Sequence, residues 1–79
     1  MGLSFTMLET GAHEARVDDT RTFTIERPWN ARRWSLWYGA PGRRLFLGDF
    51  ASVVEAKIIA EDAWEQITRN NRILGENHA

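Results

Sequence analysis

Arg21, Arg27, Arg32, Arg33, Arg43 and Arg44 stand between residues 21 and 50, opposed there only by Glu26 and Asp49. Six positive charges less two negative leave this stretch at +4, while residues 1–20 carry −3 and residues 51–79 carry −2, for the net −1 of the whole chain. Trp29, Trp34, Trp37 and the only tyrosine, Tyr38, lie in the same stretch, and Trp64 is the one tryptophan outside it. Guanidinium groups grip phosphate or carboxylate, and flat rings stack on bases or fill pockets on a partner. The combination predicts a binding surface. The near-neutral total excludes a general nucleic-acid coat, yet a local basic stripe still suits a phosphate backbone. Arginines also serve simply as solvated surface.

Covalent chemistry has little to build on. Nucleophilic catalysis needs a nucleophile held by a base. The chain has no cysteine, and its two histidines, His13 and His78, fall in an expected loop and an expected tail. Asp18 and Asp19, with Glu14 and His13, lack any metal-ligand spacing and read as a solvated acidic loop. Gly39 and Gly42 belong to a hairpin turn rather than a phosphate loop. The expectation is a non-enzyme with no cofactor and no metal. The first residues, MGLSFTMLETGAHEARVDD, show no basic n-region or long apolar run, and no stretch reaches the roughly 18 apolar residues of a membrane span. Gly2 and Thr6 give only slight support to a myristoylation pattern. A soluble cytoplasmic protein is expected.

The 79 residues suffice for one domain, with a sheet over about 3–48, a helix over about 52–72 and a frayed tail at 75–79. Leu3, Phe5 and Met7 alternate with Ser4 and Thr6 at the period of a half-buried strand. Gly11 to Asp19 reads as a polar connection. Phe23 and Ile25 mark another strand, ended by Pro28. Residues 33–38 and 44–47 alternate on either side of Gly39-Ala40-Pro41-Gly42, which predicts a hairpin. Ser52 followed by Glu55 predicts a capping box. At 100° per residue Val53, Ala56, Ala60, Ala63, Trp64 and Ile67 share one arc, with Ile59 at its edge and Gly75 as the stop. The expected fold is therefore α+β: a three- to four-stranded antiparallel sheet packed on one C-terminal α-helix.

With Trp34, Leu36, Leu45 and Leu47 facing that helix, Ser35, Trp37, Arg44 and Phe46 share the opposite face with Arg33, and Arg27 and Arg32 border it. The candidate binding set is thus Arg27, Arg32, Arg33, Trp37, Arg44 and Phe46. Residues 1–20 either leave this face open or fold over it. Val54 and Ile58, one helical turn apart and off the packed arc, form a candidate self-association patch.

The run Arg43-Arg44-Leu45-Phe46-Leu47-Gly48-Asp49-Phe50 leading into Ser52, Glu55-Ala56, Ala60 and Ala63 resembles the AP2-type DNA-binding module and the AP2-like arm-binding domains of phage integrases. In that family a Leu-Gly-x-Phe corner closes the last strand, and an alanine-rich helix packs beneath a three-stranded sheet that enters the major groove. Leu47, Gly48 and Phe50 match the corner, Glu55 and Ala56 the helix start, and Arg27-Pro28-Trp29 is similar to the family's approach to the sheet. The resemblance covers about residues 27–67. It implies that Arg44 is a DNA-contacting arginine, with Phe46 in place of the usual tryptophan. Trp37 and Gly39 stand where plant members carry charged or arginine contacts, so half of that base-reading set is absent. The resemblance implies a small non-catalytic DNA-binding module, of phage or mobile-element origin and then acting in the host cytoplasm. A protein-interaction module, capturing a host protein or acting as a homodimer through sheet edges or helices, is the alternative.

Overall fold

A computed structural model describes the backbone of residues 2–77 and the side chains of residues 2–70. Five strands, β1 (Thr6–Met7), β2 (His13–Arg16), β3 (Thr22–Glu26), β4 (Trp34–Ala40) and β5 (Arg43–Phe50), precede one helix, α1 (Val53–Asn77). Each strand pairs antiparallel with the next, giving a meander in sequence order. The class is α+β as the pattern implied, but with five strands rather than three or four.

The additional strand is β2, in the stretch expected to be a polar connection. Its sole buried side chain is Ala15, 1% exposed and paired with Phe23. One small apolar residue among His13, Glu14 and Arg16 leaves no period for a sequence to show, because the large side chain filling that layer comes from β3. His13 consequently sits on a strand, not in a loop, with its ring edge-on to Trp34 at 6.0 Å. Burial, with the Lys57 charge second, pushes its pKa below the usual histidine value.

Alternation divides the sheet into two faces. Phe23, Ile25 and Leu36 are fully buried and pack with Ala15, Ala56 and Ala60. Ala56 and Ala60 let α1 lie close, and Val53, Ala63, Trp64 and Ile67 complete the arc predicted for it. Full burial of each large side chain is worth about 1.5–3 kcal/mol. Leu3 and Phe5 also turn inward but run along the flank of α1: the Leu3 N–H donates to the Glu61 carboxylate, and the Lys57 ammonium lies 5.5 Å from the Phe5 ring centroid. The N-terminal segment thus covers the helix side and leaves the other face of the sheet open.

The ladder between β4 and β5 slips by one residue at Leu36/Trp37, where Leu47 is the extra residue. The Leu-Gly-x-Phe corner is this bulge: Leu47 stays against the core, and the Phe50 ring lies 3.3 Å from where a Gly48 Cβ would stand. Ser52 caps α1, its hydroxyl accepting from the Glu55 N–H at 3.2 Å, which is the hydroxyl half of the expected box. The helix runs to Asn77, past the expected stop at Gly75. Glycine weakens a helix interior by only about 1 kcal/mol, so it need not end one. The rest of the expected frayed tail, His78 and Ala79, lies outside the described residues.

The β2–β3 turn is tied by Asp18. Its carboxylate accepts from the Arg21 Nε at 2.8 Å, the Thr20 N–H at 2.9 Å, the Arg21 N–H at 2.8 Å and the Thr20 hydroxyl at 3.1 Å. The carboxylate is spent on its own turn rather than offered to a metal. These bonds, the Arg21 side chain foremost, hold its pKa well below the usual carboxylate range. A depressed folded-state pKa gives stability that is present above the unfolded value, near ~3.9, and lost as pH falls toward the folded one. Urea midpoints should therefore drop between neutral pH and about pH 3, and Asp18→Asn should narrow that drop while lowering the midpoint at neutral pH. An equal drop in both proteins would remove Asp18 from the account.

Candidate binding face

The register carries one set of side chains across the open face: Glu14 on β2, Thr24 and Glu26 on β3, Ser35 and Trp37 on β4, then Phe46, Arg44 and Asp49 on β5. At its centre Trp37 and Phe46 are directly paired, ring centroids 5.0 Å apart and tilted by 56°. The Arg44 guanidinium carbon lies over Trp37 at 4.7 Å from the ring centroid, and its far nitrogen reaches Glu26 at 3.4 Å. Phe46 remains 48% exposed. Next to this cluster the Ser35 hydroxyl donates to the Asp49 carboxylate at 2.8 Å, and Arg33 donates to the Asp49 carbonyl at 3.1 Å. The Trp37 Nε1 is enclosed and has no acceptor among the described residues, a condition that costs about 1–3 kcal/mol for a neutral donor.

Trp37, Arg44 and Phe46 form one constellation, with Arg33 on its border through Asp49. Arg32 is exposed in the β3–β4 connection and forms no ion pair among the described residues. Arg27 turns away: its guanidinium carbon stacks 5.1 Å from the ring centroid of Trp34, whose neighbours are core residues. Arg21 is bound to Asp18 at 2.6 Å. A stretch of sequence at +4 is thus not a face at +4. Glu14, Glu26 and Asp49 share the open face with Arg16 and Arg44, and Arg33 borders it. Val54 and Ile58 lie on the outer side of α1, 68% and 62% exposed.

One residue of the β3–β4 connection stands out although the candidate set omits it. Trp29 is 95% exposed. It occupies the corner of a turn closed by the Ala31 N–H donating to the Pro28 carbonyl at 2.9 Å, with Asn30 at φ 68°. Pro28 fixes the approach, and asparagine tolerates the left-handed conformation that follows. In the sequence Trp29 stands between Arg27 and Arg32-Arg33, with no acidic residue from 27 to 33. The signal was readable as Pro-Trp-Asn inside an arginine run, but a tryptophan in sequence is more readily assigned to a core.

No protein-family model, no curated protein and no solved structure matches this chain, so the AP2-type reading stands on its motif residues.

Proposed function

We propose that this chain is a small non-catalytic binding module that takes DNA at the β3–β4 end of its sheet and along the adjoining open face. The observation that carries the reading is Trp29, almost wholly exposed on a hydrogen-bonded turn that lies in the chain between Arg27 and Arg32-Arg33. Such a turn offers phosphate contacts and a stacking ring without first having to be ordered. Arg32 and Arg33 supply charge there, and Arg44, Trp37 and Phe46 extend the surface along the strands. The unit β3-β4-β5-α1 has the strand–strand–strand–helix order that the AP2-type resemblance implies. The phage or mobile-element origin rests on the small size of the chain and on that resemblance.

Fluorescence-anisotropy titration of random duplex DNA at low and moderate salt tests the reading. Binding should fall steeply as salt rises. Trp29→Ala should weaken binding with little change in the salt dependence, whereas Arg44→Ala should lower the log–log salt slope by about 0.9, one phosphate contact. An Arg44→Ala protein that follows the parent at every salt concentration removes Arg44 from the surface.

A protein partner is the second reading, and a specific observation favours it. The open face mixes three carboxylates with its arginines, and Arg44 is already partly neutralised by Glu26. Mixed charge around an aromatic centre suits a protein surface better than a polyanion. Absence of DNA binding even at low salt turns the expectation to a protein partner, which affinity capture on the full chain then tests.

A further inference from the structure

We propose that two copies of this chain join β5 to β5, antiparallel, about a two-fold axis normal to the sheet. An edge strand leaves a row of backbone N–H and C=O groups without strand partners, and a longer row makes a better template. One edge of the sheet is β1, two residues long; the other is β5, eight residues long. Two exposed apolar side chains also lie on β5, Leu45 at 62% and Phe46 at 48%. They point to opposite faces of the strand, so a neighbouring strand would shield both.

The bulge selects the register. A regular strand meeting its own symmetry copy must pair residues of the same parity, or side chains from opposite faces would meet. In β5 the extra residue Leu47 exchanges the parity of the two halves: Arg44 and Phe46 face the open side before it, and Asp49 does so after it. Face-to-face pairing of the two ends therefore requires an even-numbered residue against an odd-numbered one. The register that uses the whole strand sets Arg43 against Phe50 of the second copy, Arg44 against Asp49 and Leu45 against Gly48, each pair on one face. At the axis the two bulges meet, Phe46 opposite Leu47 on different faces, so the ladder is interrupted there and the pairing rests on the two ends.

Charge and shape agree with this register. Arg44 of each copy meets Asp49 of the other on the open face, so the seam holds two complementary pairs. Leu45 falls opposite Gly48, where the Phe50 ring packs over the glycine and offers it an apolar neighbour. Arg44 is held by Glu26 at 3.4 Å, with both side chains 35% exposed, and by its stacking on Trp37 at 4.7 Å. The Asp49 carboxylate accepts from the Ser35 hydroxyl through one oxygen and leaves its other oxygen for the seam. The outer side of α1 fits a symmetric partner less well, because Val54 and Ile58 are flanked by Glu55, Glu61 and Asp62. A two-fold axis normal to the sheet also keeps both open faces on one side, so two Trp37–Phe46 pairs lie side by side across a continuous surface. The pairing itself does not depend on what that surface binds.

Sedimentation of the full chain over a range of concentrations tests the proposal, with circular dichroism to check folding. The parent should form a concentration-dependent dimer. R44D and D49R each set like charges across the seam twice and should be monomeric. An equimolar mixture of the two should dimerise, since one protein then supplies two acidic positions and the other two basic ones. Should either reversal unfold the chain, Asp49→Asn is read instead, and loss of two exposed pairs should weaken the dimer roughly 2- to 30-fold. A parent that stays monomeric at the highest concentration reachable overturns the proposal. So does dimerisation of R44D and D49R as strong as the parent's, which would place the interface elsewhere, at Val54 and Ile58 if Ile58→Glu abolished it.

Discussion

Phe23→Ala is expected to cost about 3–5 kcal/mol of folding stability. Phe23 is fully buried in the cluster that joins sheet to helix among the described residues. It meets Tyr38 at 4.5 Å between ring centroids and Trp64 edge-on at 6.4 Å, and β2 covers it with nothing larger than Ala15. On the β2 side of this layer no large side chain stands beside the space that would be left behind. A chain of 79 residues, at 0.05–0.15 kcal/mol each, has a total stability of roughly 4–12 kcal/mol. The variant therefore gives up much of what holds the fold, and at the lower end of that range all of it. Leu45→Ala removes a side chain of similar type that is 62% exposed, and should stay within about 0.5 kcal/mol of the parent. Urea unfolding followed by circular dichroism compares the three proteins. Equal midpoints for Phe23→Ala and Leu45→Ala would mean that the core lies elsewhere.

The helix and the central hairpin were legible because their residues carry a period. Ala56 and Ala60 are buried and Trp64 packs on the core, as the 100° arc required, and Trp37, Arg44 and Phe46 share a face because strand alternation put them there. β2 was not legible, since its packing layer needs one alanine and its pairing uses backbone groups that any residue supplies. The charge pattern misled for a different reason. Net charge counted along a segment ignores both alternation and the reach of arginine. In space Arg21 folds back onto Asp18 and Arg27 lies over Trp34, while Glu14 and Glu26 project onto the same face as Arg44. Trp29 shows the converse. Its exposure follows from a turn closed by Pro28 and Ala31, a local geometry that composition does not report.

Gly39→Ala is expected to disturb both the fold and the binding face, and by more than Gly42→Ala in the same hairpin. Ala40 pairs with Arg43, so Pro41 and Gly42 form a two-residue loop. The turns that best match strand twist need positive φ at the first loop position. Proline, fixed near −65°, cannot provide it. The correction falls on Gly42, at φ 82°, and on Gly39 within β4, at φ 135°. A side chain at either position strains the backbone by about 1–3 kcal/mol. At Gly42 an added Cβ meets nothing within 4 Å, whereas at Gly39 it would stand 2.7 Å from the Arg43 carbonyl oxygen and 3.3 Å from the Arg44 Cα. Backbone atoms of a paired strand cannot turn aside as a side-chain tip can, so the hairpin itself must shift. Arg44, which faces Gly39 across the ladder and lies over Trp37, moves with it. Unfolding midpoints should thus rank parent, Gly42→Ala, Gly39→Ala, and only the last should also perturb ligand binding at temperatures where all three are folded. Equal losses for the two variants would show that strain alone matters and that the close approach of β5 to Gly39 does not set the position of Arg44.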